Sequence, residues 1–315
     1  MLLRALTVFF LSFSITSPSA AEAIALIKLG KFDVNVRPLF ADNPQSAKAY
    51  VELQKLSDLR PLTASEHAKR LDILEVALKK RDRWLDGYWM LATDAFFLGT
   101  QYAFDENYDG AEEVLNRGLK ATEKCLKAAP DHELCRFFSA ALLAKVASVQ
   151  GIFSSLENGQ KVRDQWLEVI ASGKNIFFRP NVSLQGSAYY GLGLFFRLVP
   201  DFFLVEWLWG IRGNLDRSIA YHRKAAELDA SNPCANLMLA VAMMCKNGNQ
   251  TDTELYSEAL TFFDLAQKQS AIDISQKICI QDAPKLKENP DKTCGYTHAK
   301  YHEPASEKAI LESSN

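Results

Sequence analysis

The stretch Gly213-Asn-Leu-Asp-Arg-Ser218-Ile-Ala-Tyr-His222-Arg-Lys-Ala225-Ala-Glu-Leu-Asp-Ala-Ser-Asn-Pro233 sets how the rest of the chain reads. Its apolar and small residues return at helical intervals, not in alternation. Ser218, His222 and Ala225 stand at 0, +4 and +7. The outer two are small enough for a partner helix to approach closely, while the middle one fills the groove between hairpins. Asn232 then reads as the cap of a second helix that starts at Pro233, a position where the missing N–H costs nothing. The same spacing returns in Ala121, Cys125 and Ala128 and again in Ala259, Phe263 and Ala266.

Working outward, periodic segments bounded by cap and breaker residues predict helices over 46–59, 64–80, 84–104, 108–128, 132–150, 160–171, 184–198, 202–209, 215–228, 233–246 and 253–269. Asp131 is the predicted cap of the helix after Pro130. Short connections make neighbours antiparallel, and no β-sheet is expected. The small–large–small spacing resembles the second helix of the tetratricopeptide repeat, and residues 213–233 resemble that repeat nearly throughout. Ser218 stands for the usual alanine, His222 for the usual aromatic and Ala230 for the usual proline. Ser218 and Ala259 are 41 residues apart, against about 34 for the repeat, a difference of about two helical turns. The expected fold is therefore all-α, an irregular tetratricopeptide-like superhelix of stacked antiparallel helix hairpins.

Composition and compartment agree with a binding protein outside the cytoplasm. The chain carries Lys+Arg 36 against Asp+Glu 38, a formal charge of −2, and is 48% hydrophobic. That balance, without polybasic runs, argues against nucleic-acid binding and against disorder. Met1 to Arg4, the apolar run Ala5 to Ile15, Pro18 and the small residues Ser19, Ala20, Ala21 and Ala23 read in order as a secretory signal over 1–23. The apolar run is too short to span a bilayer, and no cysteine at the cleavage site supports a lipid anchor. Residues 24–62 lead into the first helices, 63–272 hold the repeat-like domain, and 273–315 form a cysteine-containing tail. The expected location is periplasmic or secreted.

Export lets the six cysteines pair. Cys234 and Cys245 lie eleven residues apart on one predicted helix, about 16 Å along its axis, too far for a disulfide. Cys125 and Cys135 flank Pro130 symmetrically, so a hairpin there brings them level, and a Cys125–Cys135 bridge is expected. Cys234 and Cys245 would then pair with Cys279 and Cys294, in an order that spacing leaves open.

Residues Tyr189 to Trp209 hold eight aromatics, with Arg197, Asp201 and Arg212 among or beside them. Pro200 forces Val199 away from helical angles, so two short helices are expected to meet there. Tyr189, Tyr190, Phe196, Arg197, Asp201, Trp207, Trp209 and Arg212 are candidates to line a concave pocket for an amphiphilic or carboxylate ligand, or for a partner. The competing and favoured reading makes the aromatics core, with Arg197 and Asp201 a structural pair. The segment Gly186-Ser-Ala-Tyr-Tyr-Gly-Leu-Gly-Leu-Phe-Phe-Arg-Leu-Val-Pro200-Asp, followed by Gly213-Asn-Leu-Asp-Arg-Ser-Ile-Ala-Tyr, resembles exported tetratricopeptide-like proteins grouped with the T-component of TRAP transporters. The resemblance covers roughly residues 84 to 250. It implies an extracytoplasmic helical scaffold that assists solute uptake, as a possible homo-oligomer, by contacting a substrate-binding protein or a small apolar ligand. The lipobox cysteine common in such components is missing.

Signals for catalysis are sparse. G-x-S-x-G, H-E-x-x-H and G-x-x-x-x-G-K-[ST] are absent, and Gly191-Leu-Gly193 lies on a helix with Phe196 where a dinucleotide fold needs glycine. His67, His132 and His222 are isolated, and His222 reads as a satisfied core histidine. Cys294, His298, His302 and Glu303 have metal-ligand spacing, but an oxidising compartment and a polar, fraying terminus oppose it, so neither metal nor cofactor is expected. Asn181-Val-Ser183 and Asn249-Gln-Thr251 fit the glycosylation sequon. The expected function is a protein-interaction scaffold, with service to a solute transporter as the role that the resemblance implies. Its alternative is a carrier of a small amphiphilic ligand, and an enzyme is not expected.

Overall fold

Period-3.6 segments punctuated by caps give twelve α-helices in the computed structural model, which describes residues 44–301 except 58, 152, 180, 249 and 299. The predicted leader, residues 24–43, His302 and Glu303 lie outside the described residues. The helices are α1 (Pro44–Ser57), α2 (Ala64–Lys80), α3 (Leu85–Phe104), α4 (Tyr108–Ala128), α5 (Glu133–Gln150) and α6 (Gly159–Ala171), then α7 (Leu184–Leu198), α8 (Phe203–Trp209), α9 (Leu215–Leu228), α10 (Pro233–Asn247), α11 (Glu254–Gln267) and α12 (Ile274–Glu288). The expected all-α hairpin arrangement is present. From α3 to α6 each helix packs on its successor, as do α6 on α7 and α9 to α12 in turn, while α7 packs on α9.

Local chemistry accounts for the element ends. Thr63 and Glu66 form a reciprocal capping box at the start of α2. Asn232 Oδ1 accepts from Cys234 N at 3.0 Å, with Pro233 at the first helical position, as expected. The cap after Pro130 is His132, not Asp131: its Nδ1 accepts from Cys135 N at 3.3 Å. Val199 is extended, φ −65° and ψ 133°, and separates α7 from α8 at Pro200.

The repeat-like spacing does what small residues should do. Ser218, His222, Ala225, Ala259, Phe263 and Ala266 are all fully buried. Ala121 and Cys125 are buried too, but Ala128 ends its helix exposed. Ser218 uses its extra oxygen to donate to Gly193 O at 2.7 Å, locking α9 against α7. Gly193 is a packing glycine: a Cβ there would sit 2.6 Å from the His222 ring.

Three differences from the sequence reading concern the edges. Residues 274–288 form the helix α12, so the first part of the expected tail belongs to the helical stack. Two minimal antiparallel strand pairs are present, β1 (Phe177–Arg179) with β2 (Val182–Ser183) and β3 (Tyr296–Thr297) with β4 (Lys300–Tyr301). Segments of two or three residues are too short to show an alternating pattern. Finally, α12 returns to pack on α3, where Ile274 and Ile278 meet Phe97. The stack thereby closes on itself instead of leaving only an extended groove.

All six cysteines are bridged: Cys125–Cys135, Cys234–Cys279 and Cys245–Cys294. The first is the expected pair. The others supply the order that spacing left open, fastening α10 at one end to α12 and at the other to the segment after it. Three disulfides fit an oxidising compartment. No helix among the described residues is long and apolar enough to cross a membrane.

Candidate functional site

The returning α12 and the strand β3 help to wall a cavity of about 240 Å³ between α3, α5, α6 and α7. Its surface is overwhelmingly apolar. Phe96 and Phe97 come from α3, Phe137 and Phe138 from α5, Trp166 from α6 and Phe195 from α7. Gly191 also lines it, and a Cβ there would lie 2.6 Å from the Trp166 ring, so the glycine lets α6 and α7 approach. The apolar wall follows from helices that each turn one face inward.

A few polar groups interrupt that wall. Lys145, on α5, is only 7% exposed. No acceptor among the described residues pairs with its ammonium, and burial draws its pKa down to about 8. His298, just after β3, shares a hydrogen bond with Tyr190, 2.7 Å between Nε2 and the hydroxyl. Burial, with the charges of Lys145 and Arg197 nearby, draws the His298 imidazole down to about 3, so it is neutral. Burial raises the Tyr190 hydroxyl far above its ordinary value, so the tyrosine keeps its proton. Asp273 is paired with Arg179 at 3.1 Å. Asp229 accepts from Ser183 N at 3.1 Å with each oxygen.

Burial lifts the Asp229 carboxyl to about 7 despite those bonds. A raised carboxyl pKa means that the folded state prefers the protonated form. Its stabilising contribution is therefore complete below about pH 4 and is lost as pH rises through 7. His222 and His298, both held neutral in the fold, act in the opposite direction below about pH 6.5. The difference between variant and parent isolates Asp229: Asp229→Asn should melt close to the parent at pH 5 and progressively above it towards pH 8. Thermal melts in a series of buffers check this, and a difference that does not grow with pH refutes the assignment.

The structure distributes the candidates of the aromatic segment over three places. Tyr190 alone lines the cavity. Phe196 is buried, stacked on Tyr221 with centroids 5.5 Å apart, and half-buried Tyr189 lies beside Tyr221 at 6.0 Å. Arg197 is buried without an acid partner among the described residues: Nη1 donates to Thr293 O and Cys294 O at 2.8 and 2.7 Å, and Nη2 to Tyr296 O at 2.6 Å. Asp201 is paired instead with Arg212 at the surface, beside Glu206, so Arg197 and Asp201 are not a pair. Trp207 is 71% exposed, while Trp209 is half-buried against the core edge.

Other polar clusters stand elsewhere in the fold, one of them sharing Cys234 and His298 with the cavity wall. His67 Nδ1 meets Asp94 Oδ1 at 2.9 Å, and Arg70 Nε lies 3.1 Å from Asp94 Oδ2, a buried network tying α2 to α3. Sequence spacing gave no sign of it, because the partners are 27 residues apart. His222 is buried with no hydrogen-bond partner on either nitrogen among the described residues, which corrects the reading of a satisfied histidine, and burial keeps it neutral. The two sets Cys125, His132, Cys135 and Cys234, Cys279, His298 bring metal-type ligand atoms within 4.8 Å. All four sulfurs are spent in disulfides, so neither set offers a thiolate to an ion. Cys294 is likewise bridged, and the segment from Cys294 to His298 is a turn and strand, not the helix that metal spacing requires.

No protein-family model matches the chain, and no curated protein matches it. The class defined by fold and site is an all-α, disulfide-bonded stack of helical hairpins with an interior apolar cavity.

Proposed function

We propose that the chain is an exported, periplasmic binding protein that carries a small amphiphilic ligand inside its helical stack. The cavity carries this reading: aromatic walls from four helices surround a space of about 240 Å³ with few polar groups. Such a site suits a ligand that is mostly apolar with one polar end. Binding is favoured over turnover by the state of the histidine in the wall. His298 is occupied by Tyr190 and held neutral far below its usual range, which makes it a poor base. The resemblance to T-components of TRAP transporters supports placing the carrier beside a solute transporter.

The protein isolated from the cell envelope should retain a small organic molecule in native mass spectrometry, and its melting temperature should rise with members of a lipid and organic-acid panel. Absence of any retained molecule together with an unchanged melting temperature across the panel would remove the proposal.

A second reading, a scaffold that docks a partner protein, is favoured by α8, where Phe203 and Trp207 are 73% and 71% exposed. Both roles are compatible with one molecule. Partner recovery that disappears in the Phe203→Ser/Trp207→Ser variant would support docking, and recovery unchanged by it would count against α8.

A further inference from the structure

The charged groups in the cavity wall differ in one respect that bears on the ligand. Asp273 has Arg179, and Asp229 has the Ser183 amide. Lys145 has nothing. A buried ammonium without a partner is costly, and a structure that keeps one facing an apolar cavity leaves that cost to be relieved by whatever enters. Close to it in the same wall stands His298. Its Nε2 is engaged by the Tyr190 hydroxyl, and its Nδ1 has no hydrogen-bond partner among the described residues. One cation and one ring nitrogen therefore line a space with aromatic walls, neither paired among the described residues.

We propose that the cavity binds a medium-chain monocarboxylate, its carboxylate paired with the Lys145 ammonium and bonded by His298 Nδ1–H, its alkyl chain among Phe97, Phe138, Trp166 and Phe195. The proposal rests on the carrier reading and adds the chemical class of the ligand. A carboxylate supplies one negative charge and two acceptor oxygens, which matches one cation and the donor that His298 offers in the tautomer with its hydrogen on Nδ1, where the Tyr190 hydroxyl donates to Nε2. A dianionic headgroup would bring a second charge with no counter-ion into a dry site. Size sets the chain length. An apolar protein cavity of about 150 Å³ holds benzene, so 240 Å³ suits a ligand of about ten non-hydrogen atoms by the same scale, which is octanoate.

The test compares octanoate, octan-1-ol and octylamine on the full mature protein, stripped of lipid, by isothermal titration calorimetry at pH 7. These three share the chain and differ in headgroup charge. Octanoate should bind about 10–100-fold more tightly than octan-1-ol, the range of a charge-assisted hydrogen bond, and octylamine should bind most weakly. In Lys145→Met the octanoate advantage should vanish while octan-1-ol still binds. The ranking on the unaltered protein decides the matter even if that variant does not fold. Octan-1-ol or octylamine equal to octanoate would overturn the carboxylate assignment and leave the carrier reading standing. No binding of any of the three would overturn the assignment, and the carrier reading falls with it if the broader ligand panel is also silent.

Discussion

Replacing Arg197 with methionine is expected to lower the unfolding free energy by about 3–5 kcal/mol, the scale of leaving several buried carbonyls unsatisfied at about 1–3 kcal/mol each. Arg197 sits in the last turn of α7 and reaches the carbonyls of Thr293, Cys294 and Tyr296. No carboxylate among the described residues pairs with it there. Burial lowers its pKa to about 10, which still leaves the guanidinium charged at neutral pH. Methionine keeps much of the stem's packing but strands three carbonyls, and a bond to a charged group contributes about 1.5–3 kcal/mol. Arg197→Lys should recover only part of the loss, because an ammonium cannot reproduce the planar fork. Urea unfolding followed by circular dichroism measures the difference. A variant within about 1 kcal/mol of the parent, the scale of an ordinary surface change, would show that the carbonyls are satisfied without the guanidinium.

Removing the Cys245–Cys294 bridge as a Cys245→Ala/Cys294→Ala pair should cost about 4 kcal/mol on the chain-entropy relation. The bridge closes a separation of 49 residues. Cys125–Cys135 closes only 10, so its removal should cost less, about 3 kcal/mol. The order tests the architecture more sharply than either value. Cys294 also lies in the segment that Arg197 grips, so the losses from Arg197→Met and the double cysteine variant should not add, since both restrain the same stretch. Equal melting with and without reductant, or a larger loss at Cys125–Cys135, would contradict this account of what fastens the stack.

Much of the architecture was legible because helical hairpins are written locally. Ser218, His222 and Ala225 declare a close helix contact through spacing alone, and all three are fully buried. Asn232 with Pro233, and Pro200 after Val199, mark ends through backbone chemistry that needs no tertiary context. The Cys125–Cys135 bridge was readable for the same reason, since both residues belong to one hairpin. The helix α12 was missed: Pro284 lies inside it and apolar residues are few, and its burial against α3 and α10 is what makes it a helix in the fold.

The site was far less legible. Tyr190 was picked out among the aromatics, but Arg197 was read towards Asp201, three residues beyond the helix end, when its partners are nearly a hundred residues away. Lys145 gave no signal at all, because a lysine on a helix is ordinarily solvated and nothing nearby in sequence marks it as buried. Asp94 with His67, and His298 with Tyr190, are invisible for the same reason.

The sequence by itself determined helix, cap, hairpin and the presence of oxidisable pairs, since each follows from interactions among residues a few positions apart. Only the tertiary structure decided that α12 returns to α3, that α10 is fastened to α12 and to the segment beyond it, and that a lysine without a partner among the described residues lines an aromatic cavity. Those outcomes depend on which distant surfaces exclude water together, a property of the closed stack that no short window of residues encodes.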